Sequence, residues 1–354
     1  WLSPDIAKAL GLPPPEIEIG KAAHAFVGIV SNPDILLTRS LHGGAGPAVS
    51  SPFLMRMITV LRASGLEGAI QGKTRLLDIH KAVHTPAQVK PIDPPFVTPD
   101  VAKRPKGLSV SDVEQLMRNP YAIYVKHVLK IKKKAPLDAS PGAAERGNMT
   151  HAALANFMKK YPADLPANAE EELLKIGTAV FKKRMNNPSV RAFWWPRFER
   201  IAKWFVKFEA ERRQTSKTLG AEVGGRLEID TGESVFVLTA IADRIDRGAD
   251  DKLEIIDYKT GSVPAPKDVA SGASPQLVLE AMIALAGGFS GVEAGDVGTI
   301  KYWKLSGGRP AGEVKNAGQD IAQLTKNAKD GLTKLLKAFN DKKTPYLATP
   351  RPEW

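Results

Sequence analysis

Apolar positions follow two different periods along this chain. In the middle they recur at helical spacing, and from Glu222 onward they alternate as in strands. Ser109 or Ser111 can cap a helix carrying Val113, Leu116 and Met117, which Pro120 interrupts. Tyr121 to Leu129 continues helically into the basic run Lys130, Lys132, Lys133 and Lys134. Helices are predicted over Glu145 to Lys160 and over about Glu170 to Gln214, with Phe198, Ile201, Phe205 and Phe208 spaced as one core stripe. Glu222 to Ile229, Ser234 to Asp246 and Lys252 to Lys259 then read as three antiparallel strands, joined by turns at residues 230–233 and 247–251. A helix over Pro275 to Ala286, a strand over Thr299 to Leu305 and a closing helix over Ile321 to Asn340 complete the order.

Residues 1–85 are different. Short apolar stretches, Ala25 to Val30 and Ile35 to Leu37, mix with a helical-looking Pro52 to Ala63. Prolines at 86, 91, 94, 95, 99 and 105 follow, a density that neither a helix interior nor a central strand tolerates. The expected organisation is an N-terminal unit at 1–85, a linker at 86–107 and a main domain at 108–354. The length of 354 residues also favours two domains.

Composition narrows the function classes. No apolar run is long enough to span a bilayer, so no membrane partner is expected. The absence of cysteine excludes disulfides, thiolate zinc sites and an iron–sulfur cluster. The first residue is Trp1, which reads as a fragment or a processed chain, with no export leader following it. The compartment expected is the cytoplasm. Fifty Lys and Arg against 38 Asp and Glu leave a net charge of +12, which favours a polyanionic partner, nucleic acid before an anionic membrane.

The chemistry concentrates in Ile255-Ile256-Asp257-Tyr258-Lys259-Thr260-Gly261. Strand residues two apart share a face, so Asp257 and Lys259 project together and Tyr258 points away. The preceding hairpin brings Asp243 beside Asp257. Two carboxylates and an ammonium at one point suit a hard divalent cation. On these residues alone, a salt-bridge cluster on a hairpin is the stronger reading.

Asp243 followed by Asp257-Tyr258-Lys259-Thr260 resembles the RecB-type branch of the PD-(D/E)xK nuclease superfamily. Gly147-x-x-x-His151, on the helix before the strands, and Gln276-Leu277, opening the helix after them, match two further motifs of that branch. The resemblance covers about residues 108–310 and implies an α/β, restriction-endonuclease-like core of helix, three strands, helix and strand, with extra helices. It implies a metal-dependent deoxyribonuclease, with exonuclease action expected. His151, Asp243 and Asp257 would hold Mg²⁺ or Mn²⁺, Lys259 would orient the nucleophile or stabilise the transition state, and Gln276 would support the site. Glu222 is a candidate for the family's intermediate carboxylate, and Asp246 competes with Asp243. Glu280 stands where the family's glutamine motif usually continues to tyrosine.

Two segments narrow the resemblance further. Asn119-Pro120-Tyr121 is similar to a Cys-Pro-Tyr segment of iron–sulfur members, with Asn119 in the cysteine position. Pro33 to Ser40 resembles a strand-Thr-Arg segment of helicase-type folds. Together they resemble the C-terminal part of the AddB family: an N-terminal helicase-like remnant, a linker and the nuclease. This implies DNA as substrate, a role in double-strand break repair and an AddA-type helicase–nuclease subunit as partner. The rival readings are a non-catalytic DNA-binding or scaffold subunit that keeps the fold, and a stand-alone phage-type exonuclease.

Other signals are weaker. Gly72-Lys73-Thr74 resembles the end of a phosphate loop, but Glu67 occupies the position that needs glycine, so no ATP site is expected. His80 and His84 lack the intervening glutamate of a helical zinc pair and read as an exposed face. His127 reads as solvated. From Phe181 to Lys217, basic residues interleave with Trp194, Trp195 and Trp204, which suits either core packing with a basic outer face or contact with single-stranded DNA.

Overall fold

A computed structural model of the chain describes residues 3–348 except 45, 71–73, 87, 94, 95, 135–139 and 233. Gly72 and Lys73 of the phosphate-loop resemblance, and Pro94 and Pro95 of the proline-rich stretch, lie outside the described residues. The chain divides into two compact units, residues 1–91 and 92–354.

The first unit contains α1 (Pro4–Ala9), α2 (Pro15–Val30), a two-residue ladder of β1 (His42–Gly43) and β2 (Gly46–Pro47), α3 (Pro52–Ala63) and α4 (Thr74–His84). Ala25 to Val30 lies in α2, and residues 35–40 form no strand, so the strand-Thr-Arg resemblance has no structural counterpart there. None of this unit's described hydrophobic side chains is buried. A helicase-type layered sheet is absent among its described residues. His80 and His84 lie on α4 with exposed rings 4.4 Å apart.

The second unit opens with β3 (Phe96–Val97), which pairs with β10 (Tyr346–Leu347) near the chain's other end. Arg104 fixes this stretch by donating to the carbonyls of Phe339 and Asp341 at 2.7 and 2.9 Å. β4 (Gly107–Ser109) leads into α5 (Val110–Arg118), capped by Ser109 Oγ, which accepts from Asp112 N. A short α6 (Pro120–Ile123) continues as a π-helical turn over residues 124–128. Here His127 Nε2 lies 3.0 Å from Asp112 Oδ2 and Lys126 bonds the other oxygen, so the solvated reading of His127 is corrected. The cause is a tertiary contact made by a residue fifteen positions away.

Helices α7 (Ala143–Lys160), α8 (Ala169–Phe181) and α9 (Trp195–Arg212) follow. The single helix expected over 170–214 is broken by a 3₁₀ turn at 182–184 and a π turn at 190–194. Phe198, Ile201 and Phe205 are buried as one stripe, with Phe208 half-buried beside them. Trp194, Trp195 and Trp204 pack against the same cluster, which favours the core reading of those rings.

Three antiparallel strands come next: β5 (Ser216–Asp230), β6 (Val235–Gly248) and β7 (Leu253–Lys259). A crossover through α10 (Pro266–Ala270) and α11 (Gln276–Leu285) returns the chain to β8 (Val297–Lys304), parallel to β7. β9 (Glu313–Asn316), not foreseen from the pattern, pairs with β8, and α12 (Ile321–Asn340) closes the unit. The sheet order is β4-β6-β7-β8-β9, with β5 along the other side of β6.

Alternation along β7 explains the layers. Leu253 and Ile255 join the core beneath α5, α11 and α12, whereas Ile256 and Tyr258 join a second core beneath α7, α8 and α9. The sheet therefore separates two helical layers. Among the described residues, no helix is long and apolar enough to cross a membrane.

Candidate metal centre

The site forms where a ladder splits. β6 pairs with β7 only over residues 244–247 and 253–256; further back along β6, residues 237–239 pair instead with β4. Beyond Ile256, β7 continues without a backbone partner on the β6 side. Asp243 fills the gap: its Oδ2 accepts from the Tyr258 N–H at 2.7 Å, standing in for the missing carbonyl. Register brings Glu222 opposite Asp243, between the pairs Ala221–Arg244 and Val223–Ala242. Glu222 has φ +52°, a left-handed backbone that a non-glycine residue seldom adopts in a strand.

From the α7 layer, His151 Nδ1 reaches Asp243 Oδ1 at 3.2 Å. Its ring packs edge-on to Tyr258, 5.8 Å between centroids. Gly147 permits the approach: a Cβ there would lie 3.2 Å from Thr260 Oγ1. One ligand atom from each of His151, Glu222 and Asp243 falls within 4.8 Å of the others. These three line an open cleft with Asn148, Asn156 and Lys159.

From the α11 layer come the remaining groups. Lys259 Nζ lies 2.8 Å from Asp257 Oδ2. Gln276 Nε2 donates to Asp257 Oδ1 at 2.7 Å and to Glu280 Oε1 at 3.1 Å, which leaves Gln276 Oε1 to accept from Lys259 at 3.2 Å. Glu280 thereby sets which way the Gln276 amide faces. Its Oε2 is buried without a hydrogen-bond partner among the described residues. The structure thus brings Asp243, Asp257, Lys259 and Gln276 together at the end of β7, with His151 on the other side of Asp243. Asp246 is not among them. It lies at the centre of a buried ion network, with Arg244 Nε at 2.7 Å and Arg212 at 2.8 Å.

Electrostatics follow from this crowding. Burial pushes the Asp257 carboxyl up to about 6; the Lys259 ammonium opposes the rise and the Asp243 charge adds to it. Burial, with the charge of Asp257, also raises Glu280 well above the usual carboxylate range. Glu222 is raised by burial and by Asp243. Burial pulls the His151 imidazole down, but its hydrogen bond to Asp243 and the charges of Asp243 and Asp257 outweigh that, and its pKa is raised. Carboxylates held this close with raised pKa values are short of positive charge, which a divalent cation provides. An imidazole nitrogen with two carboxylates is a donor set for a divalent metal ion.

Glu222 was legible as an acid on the first strand, but its left-handed turn toward Asp243 was not. The buried role of Glu280 had no signal beyond its departure from the family pattern.

The mixed sheet between two helical layers, with histidine, acids and lysine gathered at one gap, defines an α/β protein with a cluster of groups that could hold a metal ion. The chain belongs to the PD-(D/E)XK nuclease superfamily, whose family model matches residues 107–352. It is similar to an uncharacterized protein of Rickettsia bellii, 29% identical over 248 residues, covering 66% of this chain and 30% of that protein. An uncharacterized protein of Rickettsia typhi is 31% identical over 190 residues, covering 52% of this chain and 22% of its own length. The chain therefore spans less than a third of the length of these relatives.

Proposed function

We propose that this protein is a metal-dependent deoxyribonuclease that hydrolyses phosphodiester bonds. The observation that carries the reading is the meeting of His151, Glu222 and Asp243 with the Asp257–Lys259–Gln276 group at the β6–β7 split. His151, Glu222, Asp243 and Asp257 would hold Mg²⁺ or Mn²⁺. The bound ion would supply Lewis acidity and offset the negative charge that develops on the phosphoryl oxygens. Lys259, oriented by Asp257 and Gln276, directs its ammonium at the reacting phosphate or at the attacking water. Gln276 holds that orientation, and Glu280 holds Gln276.

The finer reading is exonuclease action on DNA in double-strand break repair, as an AddB-type subunit beside an AddA-type partner that supplies the motor, in the cytoplasm. It is supported by the sequence resemblance of the Asn119 segment and of Pro33 to Ser40, and by the basic charge. The structure adds nothing to the helicase-like part of that reading.

The test is cleavage of single- and double-stranded DNA with Mg²⁺, Mn²⁺ or chelator. Lys259→Ala is expected to lower the rate by about 10²–10³-fold, as for loss of one transition-state donor, while DNA affinity stays within a few-fold. Cutting at the parent rate would remove Lys259 from the mechanism. No cutting by the parent chain with any metal would leave a DNA-binding subunit that keeps the fold.

A further inference from the structure

Two arginines near the candidate centre have no ion pair among the described residues. Arg146 lies on α7, five residues before His151 and next to Gly147, which packs on Thr260 just past the end of β7. Arg197 lies in the first turn of α9. Its backbone is pressed against Gly307, where a Cβ would meet the Arg197 carbonyl oxygen at 2.5 Å. The neighbouring Arg200 Nε donates to the Gly307 carbonyl at 2.6 Å. That loop is itself tied to the site, because Leu305 N donates to the Lys259 carbonyl at 2.7 Å. Two separate helices thus anchor Arg146 and Arg197 close to the ends of β7 and β8, where Lys259 lies, and the Arg197 charge acts on Arg146.

Arg146 is half-buried, and both that burial and the charge of Arg197 lower its pKa. Neither guanidinium has an ion pair among the described residues, whereas the adjoining acid Glu145 is committed to Arg184 at 2.6 Å. Elsewhere the chain does pair its clustered arginines: Arg244 and Arg212 share Asp246, and Arg213 bonds Glu209. Two like charges held together without a counter-charge suit a ligand that brings one, and a guanidinium matches a phosphate in fork geometry.

We infer that Arg146 and Arg197 form a phosphate clamp that grips the DNA backbone at a phosphodiester beside the one facing Lys259. The clamp rests on the reading of DNA as substrate. It also gives part of the basic stretch from Phe181 to Lys217 a use: Arg197 positions the strand, while the tryptophans of that stretch stay in the core.

The experiment measures binding of a labelled single-stranded oligonucleotide by the whole chain in chelator, across a salt series, so that no cleavage step enters. Arg146→Gln with Arg197→Gln is expected to weaken binding about ten-fold or more at low salt. The slope of log affinity against log salt should fall by about 0.7 for each phosphate no longer neutralised. Arg146→Lys with Arg197→Lys should restore the slope but not the full affinity, because lysine keeps the charge and loses the fork. The control is Lys326→Gln with Lys329→Gln. Those lysines line a cleft with Lys252 and Asp296 at the opposite end of β7 and β8, and their removal should change the slope less. A glutamine double variant with the parent's affinity and slope overturns the clamp, as does an effect no larger than the control's. Failure of the nuclease reading would show differently, as DNA bound normally but left uncut when Mn²⁺ is added.

Discussion

Asp257 is 3% exposed, beside a second carboxylate, and its pKa of about 6 gives the centre a definite pH signature. An unfolded aspartate titrates near about 3.9. Between those values the folded, metal-free chain holds a proton that the unfolded chain has released. Stability must therefore fall as pH rises through this window, and the contribution present below about 4 is gone above about 6. A cation needs the ionised carboxylate, so its stabilising effect runs the other way. Metal-free melting temperature should drop between about pH 4 and pH 6.5, and the shift produced by Mn²⁺ should grow over the same range. Asp257→Asn should flatten both trends. If both persist in that variant, the titrating group is another residue.

Elements show a tighter constraint at α8. A Cβ on Gly177 would fall 2.1 Å from Phe198 Cε1, and Phe198 is 1% exposed with its ring against Phe181 and Trp195. Alanine there gains helix propensity but must displace a ring with nowhere to go. A net loss of about 1–3 kcal/mol is expected, read as a lower urea midpoint with an unchanged m-value; a midpoint at or above the parent's would mean that the ring relaxes freely. Sequence pattern tells much about such elements and less about what joins them. The closing helix over Ile321–Asn340 and the strands ending at Lys259 follow from local periodicity and turn residues. The π turns, β9 and the Asp112–His127 contact depend on neighbours distant in the chain. The same limit applied to the acids of β6. Asp243 and Asp246 lie three residues apart; the family pattern favours Asp243, and the structure adds that Asp246 is bonded to buried arginines. The His151–Asp243 contact spans 92 positions and was legible only through the family motif.

At the scale of the whole molecule, the two units differ in what can protect them. Both described hydrophobic cores belong to residues 92–354, and among the described residues of 1–91 no side chain is buried. Hydrogen exchange should therefore find the slow amides almost entirely within the larger unit, with α2, α3 and α4 exchanging through local opening. Slow exchange in α2 on the timescale of β6 would contradict this. Within the larger unit, groups facing the two helical layers meet at the end of β7. The Tyr258 amide, bonded to a side-chain oxygen of Asp243 rather than to a strand carbonyl, lies on that boundary. Any ion that draws on Asp243 competes with this bond or polarises it. A single backbone proton is thus the point at which occupancy of the cleft is written into the sheet, which makes its resonance a native probe of the centre that needs no label.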